Sequence, residues 1–228
     1  MNNKSFDILT GQVFVSDPCY EANSDCQLVL SDVKIGQWIV EIKKDEKTNR
    51  VAELECFIND QSIRDSAWNE TLAGHIWVDS GQAGVFDSQY YKNDFIASGI
   101  ELLSPDSPIA DEKEGAGAVW YSLCCDKTLA DEYDGGGTIP FGALASSGYG
   151  DGKYAVYIRK TIDEQIVNIR IIFIDDADKE CPTCGNSLDN TGYCSNCDAY
   201  DDDEKCDDCG DFLDYDGICP NHCGEDEE

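Results

Sequence analysis

A chain of 228 residues with 47 acidic against 16 basic side chains, a formal charge of −31 and 13 cysteines has room for one sizeable domain and a small appendage. The charge argues against nucleic-acid binding by phosphate neutralisation, which needs clustered Lys and Arg, and favours a basic partner surface, a cation or plain solubility. No apolar run approaches the ~18 residues of a membrane helix, and residues 1–5 lack the apolar core of a signal peptide, so a reduced, cytoplasmic protein is expected.

Residues 1–175 read as mainly β, an antiparallel sandwich or barrel-like domain. Apolar and β-branched runs predict strands at 12–15, 28–33, 38–42, 51–58, 75–78, 118–123, 154–158 and 166–174. Turn signals punctuate them at Asp17-Pro18, Ser80-Gly81, Ser104-Pro105, Gly135-Gly136-Gly137 and 148–152. In 51–58, Ala52, Leu54, Cys56 and Ile58 share one face while Glu53 and Glu55 share the other, as on a sheet with one wet side. In 166–174, Val167, Ile169, Ile171 and Phe173 line one face. Arg170, on the opposite face, needs a partner or a strand end. Ile63, Ala67 and Leu72 predict one helix over 60–72, and 103–115 and 126–137 read as long polar loops.

The tail differs in kind. Residues 1–175 carry a net −15 and residues 176–228 a net −16, and eight of the 13 cysteines follow residue 180. Residues 176–180 form an acidic hinge, 181–223 a duplicated unit, and 224–228 an acidic end. The first copy places Cys181, Cys184, Cys194 and Cys197 in two CxxC knuckles. The second, 25 residues on, places Cys206, Cys209 and Cys219 in the same register, with His222 or Cys223 as the fourth group. Pairs of knuckles closing on one ion give tetrahedral sulfur coordination that selects zinc, so two structural zinc ions are expected as cofactors. Each copy has too few apolar residues to fold alone, and the metal must supply that energy. These residues resemble the double zinc ribbons attached to many bacterial, phage and archaeal proteins. That resemblance implies an interaction or assembly role; His222 and the many Asp residues depart from the pattern.

Few residues of the β-domain suggest catalysis. Asp17, Asp79, Asp87 and Asp151 lie near expected strand ends, where they could converge on a divalent cation or act as acid and base, or simply cap turns. His75 reads as a half-buried sheet histidine. Cys19 follows Pro18 with no basic neighbour to activate it, and Cys124-Cys125 should alternate in and out on a strand. Gly135-Gly136-Gly137 lacks the Lys-Ser/Thr of a phosphate loop and reads as a flexible loop. Trp38, Trp68, Trp77, Trp120, Tyr90, Tyr91 and Phe86 read as core and sheet-face residues. The stretches Ser16-Asp17-Pro18-Cys19-Tyr20, 78–87, and Gly150-Asp151-Gly152-Lys153-Tyr154-Ala155-Val156-Tyr157 resemble an uncharacterised bacterial and phage domain of unknown function. Ala155 stands where that family commonly has Pro, and the resemblance implies a fold rather than an activity.

The resulting expectation is a zinc-binding, non-enzymatic interaction or adaptor protein, its acidic double ribbon docking on a protein partner with a basic surface. Two alternatives stand beside it. One is an acidic nucleic-acid mimic that inhibits by occupying a binding groove; the other is a divalent-cation enzyme built on the strand-end Asp residues.

Overall fold

The structure, a computed structural model, describes residues 4–65, 67, 69–97, 117–129, 134–175, 184, 186, 193–194, 197 and 199–200. The chain divides into two compact units, Met1–Ile174 and Asp175–Glu228.

The first unit is a sandwich of two antiparallel sheets that do not close into a barrel. One sheet has six strands in the order β1 (Lys4–Ile8), β4 (Gly36–Lys44), β5 (Val51–Ile58), β11 (Ile166–Ile172), β10 (Gly152–Lys160) and β6 (Thr71–Val78). The other has five, in the order β3 (Leu28–Leu30), β2 (Val13–Ser16), β7 (Gln82–Asp87), β9 (Gly142–Ser146) and β8 (Gly136–Ile139). Period-2 alternation builds the core. Leu54, Cys56 and Ile58 of β5, and Val167, Ile169 and Ile171 of β11 with Phe173 beyond it, turn inward with Trp38, Ile76 and Val156. They meet Val13, Val15, Ala83, Val85, Ala143 and Ala145 from the five-stranded sheet in one buried cluster. Each of the buried Val, Leu, Ile and Phe side chains contributes about 1.5–3 kcal/mol relative to exposure. Arg170 on the outer face finds its partners in Glu53, at 2.9 Å, and Glu70, which it clasps with two nitrogens.

A second, smaller core covers the other side of the five-stranded sheet. Phe14, Phe86, Ile139 and Leu144 pack there with Tyr91 and with Trp120 and Cys124 of helix α3 (Ala118–Leu129). Their rings meet edge to face, Phe86 to Trp120 at 5.0 Å and Tyr91 to Trp120 at 4.9 Å between centroids. Strands β2 and β7 are consequently buried along their whole length. Gly84 of β7 permits this packing, since a Cβ there would collide with the Ala143 carbonyl oxygen and stand 2.7 Å from Leu144 Cβ.

Several expectations need correction. Residues 118–123 are helical, not a strand. Their first amides donate to a carboxylate distant in sequence, Gly117 N to Asp94 Oδ2 and Trp120 N to Asp94 Oδ1, both at 2.8 Å, and Asp94 opens the short helix α2 (Asp94–Ala97). Trp120 and Cys124 share the buried side of α3 at helical spacing, while Cys125 is half-buried; the vicinal pair does not alternate as on a strand. The helix expected over 60–72 shrinks to one turn, α1 (Gln61–Asp65), capped by Asp60. Leu72 belongs instead to β6, opposite Tyr157. Gly136 and Gly137 open β8 rather than a loop, with Gly136 facing Ala145 so closely that a Cβ would lie 2.6 Å from Leu144 O. Strands β1, β7, β8 and β9 were not expected. The 103–115 loop lies outside the described residues.

Candidate metal centre

In the second unit the described residues include a small hairpin, β12 (Tyr193–Cys194) against β13 (Ala199–Tyr200), with Cys194 opposite Ala199. The turn between them carries Cys197. The sulfurs of Cys194 and Cys197 lie to one side of the hairpin's reversal, and Cys184 joins them from ten residues before Cys194. The three sulfurs all lie within 4.8 Å of one another, and Cys184 Sγ is 3.6 Å from Cys194 Sγ. That separation is too long for a disulfide, near 2.05 Å, and matches the edge of about 3.8 Å of a tetrahedron with 2.3 Å metal–sulfur bonds. Cys194 is buried, Cys197 half-buried and Cys184 exposed, so the cluster opens at one corner. These residues could hold one metal ion. Cys181, Cys206, Cys209, Cys219, His222 and Cys223 lie outside the described residues, as do the 176–180 hinge and the 224–228 end.

The four aspartates of the β-domain do not converge. The buried Asp17 carboxylate accepts from Asp79 N at 2.8 Å, Ser80 N at 2.7 Å, Ser80 Oγ at 2.6 Å and Cys19 N at 2.7 Å. Asp151 Oδ1 accepts from Gly81 N at 3.1 Å, so three of the four surround the turn at 79–81. Asp87 stands at the other end of β7, about 17 Å along the strand. It is buried as well, accepting from Leu9 N at 2.7 Å, Thr10 N at 3.0 Å and Thr10 Oγ1 at 2.7 Å. Asp17 follows β2 and holds the loop entering β7; Asp87 ends β7 and holds the loop entering β2. Both carboxylates spend their lone pairs on backbone amides and hydroxyls, which is the chemistry of a structural clasp.

The other residues singled out fall into place around these clasps. Ser16 Oγ accepts from Gln27 Nε2 at 2.7 Å, and Tyr91 donates its phenol to Tyr20 O at 2.8 Å, so the Ser16–Tyr20 stretch is a tied-down corner. Burial, then the Asp17 carboxylate, pushes the Cys19 thiol up to about 12, which removes it as a nucleophile. The Gly150-Asp151-Gly152 turn is closed by Tyr154, whose hydroxyl donates to Ser147 O at 2.9 Å and Gly150 O at 2.7 Å. His75 is exposed on the outer sheet face rather than half-buried, because its neighbours Ile76 and Val78 take the inward positions. Trp38, Trp120 and Phe86 are core. Trp77 is 49% exposed on the sheet face beneath Lys153, whose ammonium lies 5.7 Å from its ring centroid. Tyr90 stacks on Phe141 at 4.0 Å. Trp68 lies outside the described residues.

Fold and site together define a β-sandwich protein that carries a cysteine cluster of metal-ligand type. The chain belongs to the family described as protein of unknown function (DUF4241), whose model matches residues 6–171. No curated protein and no solved structure matches the chain.

Proposed function

We propose that this protein is a zinc-binding, non-enzymatic adaptor that works in the cytoplasm, its tail docking on a protein partner with a basic surface. The gathering of Cys184, Cys194 and Cys197 carries this reading. Sulfur donors at tetrahedral spacing favour zinc, and Cys181 supplies the fourth ligand to the first ion. By the sequence repeat, Cys206, Cys209 and Cys219 with His222 or Cys223 hold a second. Four protein ligands leave no position for substrate, so both ions are structural. Zinc bound by four thiolates is formally −2, and the tail keeps its acidity in the metal-bound state. The ribbons then present the carboxylates of 201–204, 207–208 and 211–216 on a stiff frame, and complementarity to a basic surface gives the on-rate and the choice of partner.

Native mass spectrometry of the chain purified without chelator should count two zinc ions, both lost with residues 176–228. The same deletion should abolish association with a basic partner while the first unit stays folded. An association that survives the deletion refutes the docking role.

A further inference from the structure

The outer face of the six-stranded sheet holds a groove of about 450 Å³ between β4, β5, β11 and β10, roofed at one end by α1. Two cross-strand rows form its floor. Phe57, Asn168 and Arg159 are successive neighbours in one, and Glu41 and Glu55 stand directly opposite each other in the next. Asn168 is 4% exposed and lines the groove. Its Nδ2 donates to Glu55 Oε1 at 2.7 Å. That bond fixes the amide, since a flip would set oxygen against carboxylate. Asn168 Oδ1 is therefore a buried acceptor, and among the described residues it has no hydrogen-bond partner. Such an atom is costly to keep unless something fills it.

The same groove contains a complementary donor. The Arg64 guanidinium lies 4.5 Å over the Phe57 ring, and its Nε is a shielded donor that also has no partner among the described residues. An orphan acceptor beside opposed carboxylates and an orphan donor on a guanidinium call for a ligand with a cationic donor at one end and an anionic acceptor at the other. Lys43 reaches Glu55 at 3.4 Å and matches part of the acidic end, which leaves Glu41 to face the ligand. We propose that the groove binds a small zwitterion of the amino-acid class. The ammonium donates to Asn168 Oδ1 between Glu41 and Glu55, and the carboxylate accepts from Arg64 Nε. Entry lifts Arg64 from the Phe57 ring; α1 is a single turn, so the lift disturbs little else.

The test is a titration of the zinc-loaded full chain, labelled with ¹⁵N, against each of the twenty common amino acids at millimolar concentration. At least one should shift the Asn168 side-chain amide and the Arg64 Nε–H resonances to saturation. Asn168→Ala and Arg64→Gln should each weaken that binding at least tenfold. Arg64 sits on an exposed turn, so its variant keeps the fold even if the Asn168 variant does not. No saturable shift with any amino acid would mean that water alone satisfies Asn168 and would overturn the proposal. Equal binding of the ligand's N-acetyl or methyl-ester derivative would also overturn it.

Discussion

Cys19, Cys56 and Cys124 show how placement decides the chemistry of one residue type. Burial pushes the Cys56 and Cys124 thiols well above their ordinary range, and Cys19 follows with help from Asp17. The consequence is a pH dependence with a definite sign. Unfolded thiols ionise near pH 8.5, whereas the folded protein keeps the protons on Cys56 and Cys124. Their contribution is complete below about pH 8.5 and is lost as pH rises above it, by about 1.4 kcal/mol per pH unit for each thiol. Urea midpoints followed by Trp38 and Trp120 fluorescence under reducing conditions should therefore fall steadily between pH 8 and 10. A flat profile would mean that these thiols ionise freely in the fold. At the same scale, Asp17→Asn turns one carboxylate oxygen into a donor that faces either two amides, of Asp79 and Ser80, or the Cys19 amide and the Ser80 hydroxyl, and should cost about 3 kcal/mol in the same assay. A loss under 1 kcal/mol would show that water replaces the carboxylate. Part of this is legible in the sequence, which marks Asp17 as a turn residue and puts nothing beside Cys19 to activate it. Asp17's partners were beyond it, because Asp79 and Ser80 lie 62 and 63 residues away.

Among the elements, α3 depends most on a contact made from a distance. Asp94 satisfies amides at its start across 23 and 26 residues, where a helix usually finds its cap next door. Asp94→Ala should cost about 1–2 kcal/mol. It should also lower helical circular dichroism and red-shift Trp120, with the six-stranded sheet intact; an unchanged spectrum would assign the capping to another group. This remote cap also explains which elements were legible. β5 shows its alternation openly because Glu53 and Glu55 face outward, and it was expected with the bounds observed. Val119-Trp120-Tyr121 has strand propensity and its cap is distant, so α3 reads locally as β. β7 and β9 are covered on both faces, by the main core and by the α3 cluster, and so lack the polar-apolar rhythm by which strands are read. Of the glycines that spell a loop, Gly136 opens β8 because only a residue without a side chain fits against Ala145.

At the scale of the whole molecule the two units depend on different physics. The sandwich buries one large apolar core, whereas the tail, on the function proposed above, takes its folding energy from metal. A strong chelator should therefore abolish the ordered signals of the second unit and leave the thermal transition of the first unchanged. Loss of both together would make the sandwich metal-dependent too. The meeting of Cys184, Cys194 and Cys197 was readable from spacing alone, since knuckle geometry is local. The groove on the outer sheet was not readable. Asn168 and Arg64 are 104 residues apart and carry no motif, and only the pairing of β5 with β11 brings them to one place.

The paired clasps at Asp17 and Asp87 have a consequence for how β2 finds its place. Each strand ends in a carboxylate that recognises the loop leading into the other, so one alignment is inspected twice, at sites a strand's length apart. A slip of one residue would move Val13 off Asp87 and Ser16 off Gly84, and would strand both acids without their amides in the same step. Neither strand has a wet face whose polarity could reject the error. Proofreading at the two ends replaces the usual proofreading along the face.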